Sequence, residues 1–500
     1  MACESAHQYL PVHILTKQDS KCQRTHNISV LRHKRTLKSI FINMSAMPLQ
    51  PIGLAPSSSS PFADQGHDGM RFKLLTLNCW GLKFISKFRE ERMHHIANTI
   101  AAAEVDIVAL QECWVESDFQ YMKQKCRHKF PYSKLFYSGI IAGPGLVVLS
   151  RFPIESVSMT PYTINGRPSA FFRGDWFVGK GVASAIIRHP ASGIAIEIFN
   201  THMHAPYGPG DASYVCHRTA QAWQLARQIR AAIERGHLAL AVGDFNSKPD
   251  SLTYALLTKR AGLQDSWTTV HGASREGIPA ESLSPAEQIE TLGVTCDSQL
   301  NTWRNWCELS KAQRLDYIFH EPHLSTVEDI EVAFVERVPG VNVSASDHFG
   351  VIASLRVLPT AAHKVRTGLE QVSEARKSIG LPLADYEQIM NTIQEYLPTA
   401  NAQKFYRTLH FFVSIGLLVA LHIGIFWVKK GWGGFIMMLA ATLIGVTGVT
   451  DGMMGFLFGR NELRALKQFQ EEVLWEMEFT DQQTTLSSGT SASSADAKCV

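Results

Sequence analysis

Polar side chains suited to phosphodiester chemistry close or follow several short apolar runs of this 500-residue chain. Hydrolysis of a phosphodiester needs a neutralised phosphate charge, a deprotonated water and a stabilised leaving oxygen. Mg²⁺ can neutralise the phosphate and stabilise the leaving oxygen, and it prefers oxygen ligands. Histidines suit proton transfer near neutral pH. The candidate oxygen donors are Asn78, Glu112, Asp244, Asn246 and Asp347, and the candidate acid–base residues are His202 and His348.

Taken singly, these residues are weak signals. A strand-end carboxylate is often a helix cap or turn residue, and a lone histidine is more often a surface or core residue. Asp244 and Asn246 are a stronger pair, because residues on either side of one position in an extended segment point the same way. The order and contexts of the whole set therefore carry the functional indication.

Hydrophobic patterns predict the elements that position these residues. Helices are predicted at Glu90–Ala103 and His217–Glu234. Strands are predicted at 72–80, 105–112, 145–154, 182–190, 194–204, 238–246, 314–320 and 348–357. Helices separate some of these strands while others follow one another directly, which favours an α/β sandwich of mixed sheets over a doubly wound parallel sheet.

Two apolar runs of membrane-spanning length come later, at Thr408–Val428 and Gly434–Phe458. A spanning helix needs about 20 apolar residues, and the short link 429–433 predicts a hairpin with both ends on one side. Trp427 and Trp432 flank the predicted turn, where aromatic anchors are common. The alternative is a buried core hairpin of a soluble protein, which the length and the adjacent charges disfavour.

Basic residues set the expected orientation of this hairpin. Two of them, Lys429 and Lys430, lie at the turn, and Asp451 is expected near the membrane interface. The basic residues near the outer ends are Lys404, Arg407, Arg460, Arg464 and Lys467. The positive-inside bias therefore predicts an integral membrane protein with its catalytic domain in the cytosol.

The chain is expected to divide into five parts. Residues 1–70 form a basic, disordered extension and linker, and 71–358 form the phosphodiesterase domain. A polar helical connector, 359–407, leads to the membrane pair 408–458. Residues 459–500 comprise a cytosolic helix and a disordered tail. The N-terminal residues are read either as a mitochondrial-type presequence or as an extension with a mis-assigned start.

Bulk composition narrows the class of protein. The net charge of +3 is too small to indicate nucleic-acid binding by itself. The nine cysteines are dispersed without a CxxC pair, which favours reduced thiols and a cytosolic catalytic domain.

Six motifs together resemble the endonuclease/exonuclease/phosphatase superfamily. They are LNCWGL, LQE, NTHMHA, GDFN, LDYIF and SDHFG, in that order, over about Arg71–Leu358. The segments THMHAPY, CHRTAQAW and GVTCDSQLNTW resemble the neutral sphingomyelinase branch, and the hairpin resembles fungal inositol phosphosphingolipid phospholipase C. The resemblance implies a DNase I-like four-layered α/β sandwich with two mixed β-sheets flanked by helices, followed by the two-helix transmembrane hairpin.

The resemblance also implies a role for each candidate residue. Glu112 and Asn78 would hold Mg²⁺, for which Mn²⁺ is a substitute. His348 would be the general base, and Asp316 would orient it. Asp244 and Asn246 would hold the phosphate, the metal or the nucleophile. His202 would stabilise the phosphoryl oxygens or serve the leaving group, and Asp347 would support the metal and the general base.

The segment Gly174–Gly181 has the GxxxxGK spacing of a nucleotide-binding loop. Gly181 replaces the Ser or Thr that would hold a nucleotide's Mg²⁺, and a strand rather than a helix follows, so a nucleotide site is not expected. In the family this loop carries an Asp and a Lys that matter for activity, here Asp175 and Lys180. We expect a mobile loop in which Lys180 contacts phosphate or Asp175 gates the site; the alternative is a plain glycine turn.

The resulting hypothesis is a membrane-bound, Mg²⁺-dependent phospholipase C that releases ceramide from a sphingolipid. Anionic phospholipids are expected activators, and nucleic acid is not an expected partner. The alternatives are a nuclease or an inositol-phosphate phosphatase of the same fold, and a non-enzymatic membrane scaffold. The head group (inositol phosphate or phosphocholine), the organelle (endoplasmic reticulum, with mitochondrial association), the number of metals and the oligomeric state stay open.

Overall fold

The computed structural model describes residues 70–141, 143–358 and 380–496. The expected N-terminal extension and presequence therefore lie outside the described residues, as does the first part of the expected connector. The first strand of the described part begins at Arg71.

Fourteen strands occur in the described part of the chain. They are β1 Arg71–Asn78, β2 Ile107–Gln111, β3 Tyr132–Leu135, β4 Val147–Ser150, β5 Ile154–Pro161, β6 Gly181–Arg188, β7 Ala195–His202, β8 Leu238–Asp244, β9 Gln264–Asp265, β10 Asp316–His320, β11 Ser325–Ala333, β12 Arg337–Val338, β13 Val343–Ser344 and β14 Gly350–Val357.

Ten α-helices accompany these strands in the same residues. They are α1 Arg89–Ala102, α2 Glu116–Cys126, α3 Asp175–Val178, α4 Val215–Glu234, α5 Leu252–Ala255, α6 Ser266–His271, α7 Pro285–Leu292, α8 Leu383–Gly424, α9 Gly431–Met453 and α10 Gly459–Asp496.

Two six-stranded mixed sheets form the centre of the molecule. The first has the order β11-β14-β1-β2-β4-β3 and the second β5-β6-β7-β8-β10-β9. Each sheet contains a central parallel pair, β1 with β2 and β7 with β8, among antiparallel neighbours. The predicted fold class, two mixed sheets flanked by helices, is confirmed.

Four layers account for the buried side chains. Apolar residues of both sheets, among them Leu74, Ile198 and Val242, share one core between the sheets. Helices α1 and α2 cover the outer face of the first sheet, and α4 covers that of the second. The central strands of each sheet are thus buried on both faces, which explains the continuous apolar runs of β2 and β8, whereas the edge strands β5 and β11 keep exposed positions.

The predicted strand at 145–154 was wrong as a single element. β4 ends at Ser150 in the first sheet, and β5 begins at Ile154 in the second. Between them the Phe152 backbone N–H donates to Ser150 Oγ at 3.0 Å, and Pro153 follows. A side-chain-capped turn before a proline breaks the apolar run and carries the chain from one sheet to the other.

The expected connector is not a separate segment in the residues described. α8 starts at Leu383, directly after Pro382, and continues without a break past residue 407. Its first turns bury Tyr386, Ile389 and Ile393 in the same core as α4 and α10. The hydrophobic pattern of α8 changes from one buried stripe to an apolar surface all round, and Pro398 inside the helix removes one backbone hydrogen bond without ending the helix.

The two apolar helices α8 and α9 are long and apolar enough to cross a membrane, by length and composition. They approach each other closely at small residues: a Cβ added at Gly448 would lie 2.5 Å from Ser414 Cβ. Asp451 of α9 pairs with Arg407 at 2.7 Å and with His410 at 2.8 Å. Small contact residues and a polar cluster at one end are typical of paired membrane helices.

The last helix is longer than expected. We predicted a helix followed by a disordered tail within 459–500, but α10 continues to Asp496. Ser, Thr and Ala carry only modest or no helix penalties, so a tail rich in them can extend an existing helix.

Candidate active site

Strand ends bring the predicted site residues together at one end of the sandwich. In the second sheet, His202 pairs with Asp244, and Asp244 pairs with Asp316, so the three occupy one row across β7, β8 and β10. In the first sheet, Asn78 ends β1, and Glu112 follows β2. Since the two sheets pack face to face, the two rows meet.

An Asp–His pair connects the sheets at this end. His348 Nδ1 lies 2.8 Å from Asp316 Oδ2, and both side chains are buried. This contact fixes the proton on Nδ1 and leaves Nε2 to accept another. Nε2 lies 3.9 Å from Asp244 Oδ2.

The charge on His348 is set by competing effects. Burial lowers the pKa of this imidazole, but Cys296 and the carboxylates of Asp316 and Asp244 outweigh it and raise the pKa well above its usual value. The Cys296 thiol is itself buried, which raises its own pKa. The two carboxylates therefore supply the lasting stabilisation of the imidazolium.

Asn78 links two acidic residues across the site. Its Nδ2 donates to Glu112 Oε1 at 3.2 Å and to Asp244 Oδ2 at 3.0 Å. Its Oδ1 accepts from the Trp80 backbone N–H at 3.0 Å. In this arrangement Asn78 positions the two carboxylates, and its expected role as a metal ligand stays a prediction.

Three residues near the strand ends have backbone conformations that are unusual for L-amino acids. The φ angles of Trp80, Glu112 and Asn246 are 46°, 55° and 47°. Such left-handed conformations are held only where surrounding contacts enforce them, and they concentrate at functional sites. Position 243, just before Asp244, requires glycine, because a Cβ there would lie 2.0 Å from the Thr201 carbonyl oxygen.

The acidic groups of the site favour a cation. Burial raises the pKa of Glu112 to about 7, and the nearby Asp347 carboxylate adds to this. Burial likewise raises the pKa of Asp244 to about 6, with a further contribution from Asp316. A bound divalent cation would relieve this repulsion, and hard carboxylate oxygens are the ligands that Mg²⁺ prefers.

The donor set can be stated from the geometry. Asp244, Asp316 and His348 each offer a ligand atom, all within 4.8 Å of one another. Asp316 and His348 are already engaged with each other, so the carboxylates of Asp244 and Glu112 are the better oxygen ligands for a metal. These residues fit a divalent metal.

Lys180 and His202 form a buried contact beside this acidic group. Lys180 Nζ donates to His202 Nε2 at 3.0 Å and to the Met203 carbonyl at 2.8 Å. Its third partner is Asp175 Oδ1 at 2.5 Å. The three ammonium hydrogens are thus all used, so a contact with phosphate would require Lys180 to exchange one of these partners.

His202 is an acceptor in this arrangement. Burial and then the charge of Lys180 lower the pKa of His202 well below its usual value. Its Nε2 is 3.4 Å from Asp244 Oδ2. A neutral ring that accepts from Lys180 keeps its proton on Nδ1. The expected roles toward phosphoryl oxygen or leaving group stay predictions.

The remaining predicted residues occupy the border of the site. Arg304 Nη2 donates to Asp347 Oδ2 at 3.0 Å. The Asn246 backbone N–H donates to Asp244 Oδ1 at 2.9 Å, and its Nδ2 donates to the Met203 carbonyl at 3.1 Å. Asp347 is therefore held by an arginine, and Asn246 fixes the Asp244 carboxylate.

Residue-by-residue reasoning missed three participants. Tyr207 donates its hydroxyl to the Asp175 carboxylate, and His204 Nε2 lies 3.9 Å from Asp175 Oδ2. Arg304 is the third. Signals were present, because His204 and Tyr207 lie in THMHAPY and Arg304 directly follows GVTCDSQLNTW.

Comparison with known proteins identifies the family. Residues 75–348 match the endonuclease/exonuclease/phosphatase family. The chain is 41% identical over 428 residues to inositol phosphosphingolipids phospholipase C of Saccharomyces cerevisiae, covering 80% of this chain and 89% of the relative. It is 39% identical over 198 residues to sphingomyelin phosphodiesterase 2 of Rattus norvegicus, covering 40% and 46% of the two chains. A solved structure of truncated Caenorhabditis elegans TDP2 aligns with TM-score 0.42 and 18% identity, covering 58% of this chain and 98% of that one.

Proposed function

The chain belongs to the endonuclease/exonuclease/phosphatase family, and on this premise we propose that it is a membrane-anchored sphingolipid phosphodiesterase. It hydrolyses the phosphodiester on the ceramide side, as a phospholipase C does, and releases ceramide and a phosphorylated head group. The observation that carries the proposal is the Asp316–His348 pair, which lies against an acidic cluster in a chain with an apolar hairpin.

His348 is the general base in this proposal. Asp316 holds the proton on Nδ1, so Nε2 can accept the proton of an attacking water. Asn78 and Asn246 fix the carboxylates of Glu112 and Asp244 in place. A bound Mg²⁺, or Mn²⁺ in its place, would supply charge neutralisation for the phosphate and the leaving oxygen.

The other predicted residues receive supporting roles. Lys180 and His202 lie on the side of the site nearest α3 and would meet the phosphoryl oxygens once Lys180 exchanges Asp175 for phosphate. Asp347, held by Arg304, orients the segment that carries His348.

Inositol phosphate is the proposed head group. The relative named for inositol phosphosphingolipids aligns over 89% of its length, whereas the sphingomyelin phosphodiesterase aligns over 46%. The first alignment thus extends beyond the catalytic sheets; that of a putative neutral sphingomyelinase of Caenorhabditis elegans does so too, but at 28% identity against 41%. Sphingomyelin is the second candidate.

The hairpin gives the enzyme access to a lipid substrate. We place the catalytic domain (71–358) in the cytosol and the hairpin (408–458) in the membrane of the endoplasmic reticulum, with mitochondrial association as an alternative. Anchoring raises the effective substrate concentration. The basic residues near the hairpin base support activation by anionic phospholipids.

Purified protein should be assayed with and without Mg²⁺ on inositol phosphorylceramide, sphingomyelin, an inositol phosphate and plasmid DNA. His348→Ala should abolish activity, and His128→Ala, which changes an exposed histidine of the same domain, should not. Ceramide release that requires both Mg²⁺ and His348 would support the proposal. DNA cleavage or phosphate release from the inositol phosphate, without ceramide release, would overturn it.

A further inference from the structure

Three large apolar side chains are exposed on two neighbouring loops. Ile140 and Ile141 are each 70% exposed on the β3–β4 loop, and Phe172 is 94% exposed on the β5–β6 connection. We call these three residues the rim patch. The two loops are hydrogen-bonded to each other at Ile140 and Phe177, and large apolar side chains exposed on joined loops are typical of a contact surface.

The rim patch borders the active-site end of the sandwich. Val147 of β4 pairs with Leu110 of β2, so the β3–β4 loop lies beside the strand end that carries Glu112. The Cys113 backbone N–H donates to the Gly145 carbonyl at 2.9 Å, which joins the segment after β2 directly to the β3–β4 loop. The β5–β6 connection ends at Lys180, which contacts His202. Both loops therefore lie beside the candidate catalytic residues.

A series of contacts connects the rim patch with the hairpin. The backbone N–H groups of Ile140 and Ile141 donate to the Phe177 carbonyl at 3.0 and 3.3 Å. The Phe177 ring packs edge-on against Trp176 at 5.1 Å, and Trp176 packs edge-on against Phe458 at 5.0 Å.

Phe458 lies at the end of the hairpin that contacts the catalytic domain. It ends the second apolar run, and Arg460 follows two residues later. At the same end of the hairpin, Phe405 and Tyr406 are 62% and 66% exposed. Aromatic and basic residues in this order are typical of a membrane–water interface.

We propose that the rim patch enters the interfacial layer of a phospholipid bilayer and holds the mouth of the active site against it. The proposal rests on the proposed function and specifies how that site meets its substrate. The occupant is the bilayer because the patch is continuous, through Trp176 and Phe458, with helices built to cross one. A sphingolipid phosphodiester at head-group depth then reaches His348 while its ceramide stays in the membrane.

The first test separates bilayer docking from catalysis. The full-length triple variant Ile140→Ser/Ile141→Ser/Phe172→Ser is reconstituted into phosphatidylcholine vesicles containing inositol phosphorylceramide. Its rate should fall at least tenfold there, yet stay within twofold of wild type on a short-chain analogue below its critical micelle concentration. The control Val270→Ser/Phe479→Ser changes apolar residues that are 37% and 60% exposed elsewhere, and should match wild type on both substrates. Equal rates of triple variant and wild type on vesicles, or an equal loss on both substrates, would overturn the proposal.

The second test does not depend on activity, so it separates failure of this proposal from failure of the proposed function. A nitroxide label is attached at Phe172→Cys after Cys3, Cys22 and Cys499 are replaced by serine; the six cysteines in the described residues are buried. In vesicles the label should be more accessible to oxygen than to a water-soluble nickel complex, and a label at Phe479→Cys should show the reverse. Water-like accessibility at position 172 would overturn bilayer docking, and so would spin–spin broadening there, which would indicate a second copy as the occupant.

Discussion

The Asp316 carboxylate and the His348 ring belong to different sheets, and their 2.8 Å contact closes the sandwich at its catalytic end. Asp316 begins β10 of the second sheet, and His348 lies two residues before β14 of the first. The proposed general base therefore takes its orientation from the opposite sheet. Catalytic geometry depends on the packing of one sheet against the other.

Replacement of Asp316 should change the pH dependence of activity as well as its size. His348 acts as a base only when neutral, so activity should rise as pH increases through its raised pKa. Asp316→Asn removes a charge that raises this pKa, so the acidic limb should move to lower pH while the maximum rate falls by about 10²–10⁴-fold. The pH–rate profile tests this, with His348→Ala as the inactive reference. An unmoved acidic limb would contradict the assigned pair.

Replacement of Glu112 should have opposite effects on stability with and without metal. Burial raises the pKa of Glu112 to about 7 in the folded protein. Without metal, the free energy of unfolding therefore falls as pH rises from the pKa of Glu112 in the unfolded chain to about 7. At pH 8 in EDTA, Glu112→Gln should be more stable than wild type, on the order of 1–3 kcal/mol. In Mg²⁺ the order should reverse. Thermal unfolding in the two buffers measures both, and a variant that is less stable in each would argue against a metal at this carboxylate.

Lys180 should be required for stability through its partner Asp175. Burial raises the pKa of the Asp175 carboxyl, but the Lys180 ammonium outweighs burial and holds that pKa well below its usual value. Lys180→Ala leaves this buried charge without its ammonium partner and should cost about 3–5 kcal/mol. The double variant Asp175→Asn/Lys180→Met should recover most of that stability but little of the activity. Urea unfolding measures the stability of each variant, and ceramide release measures its activity. Full activity in Lys180→Ala would favour a plain glycine turn.

The C-terminal helix should depend on one buried arginine. Arg260 lies 3.6 Å from the Trp223 ring centroid and donates to Glu476 at 2.8 Å. Glu476→Ala leaves the buried Arg260 guanidinium with only the Trp223 carbonyl as acceptor and without its carboxylate partner, and should cost about 2 kcal/mol. Glu471→Ala breaks an exposed pair with Lys467 and should cost less than about 0.5 kcal/mol.

Limited proteolysis provides a second readout for these two variants. Faster cleavage within α10 is expected for Glu476→Ala alone. Equal cleavage rates in the two variants would show that α10 does not rely on the arginine.

Activation by anionic lipid should depend on the basic residues that are not engaged within the hairpin. Arg407 pairs with Asp451, so its reversal would also damage the helix pair. Reversal of Lys404, Arg460 and Arg464 to Glu should weaken attraction to an anionic surface by about 1 kcal/mol for each charge removed. Vesicle assays with and without phosphatidylserine measure the effect.

A matched charge reversal at the C-terminal end of α2 controls for net charge; it replaces Lys123, Lys125 and the following Arg127 with Glu and should leave the lipid dependence unchanged. Equal activation of wild type and the hairpin-base variant would exclude electrostatic recruitment.

The sequence predicted most of the residues that meet at the candidate site, because those residues lie at strand ends. Glu112 and Asp244 each come at the end of a buried run, and the register of a sandwich brings such positions together. The Asp175–Lys180 contact was harder to foresee, because it depends on the fold of one loop and on Tyr207 from another. Loop-to-loop contacts leave no periodic signal in the chain.

The helices around the hairpin could be predicted, but their packing partners could not. Tyr386 and Ile389 have helical spacing, which does not reveal that they face α4. Glu476 reads as a solvated charge in sequence, yet it accepts from Arg260. Such partners are set by tertiary contact between segments more than 200 residues apart.

The hairpin has a pinned base, since Tyr396 of α8 donates to Glu462 of α10 at 2.6 Å. The chain thus leaves the catalytic domain through α8 and returns to it through α10 at the same place, as it does around an inserted domain. Both neighbouring strips of helix remain bound to the body through Ile393 and Leu466. A short turn that joins the two sides of this base would therefore excise the anchor and leave a water-soluble hydrolase, released from two-dimensional search and dependent on substrate dispersed in detergent.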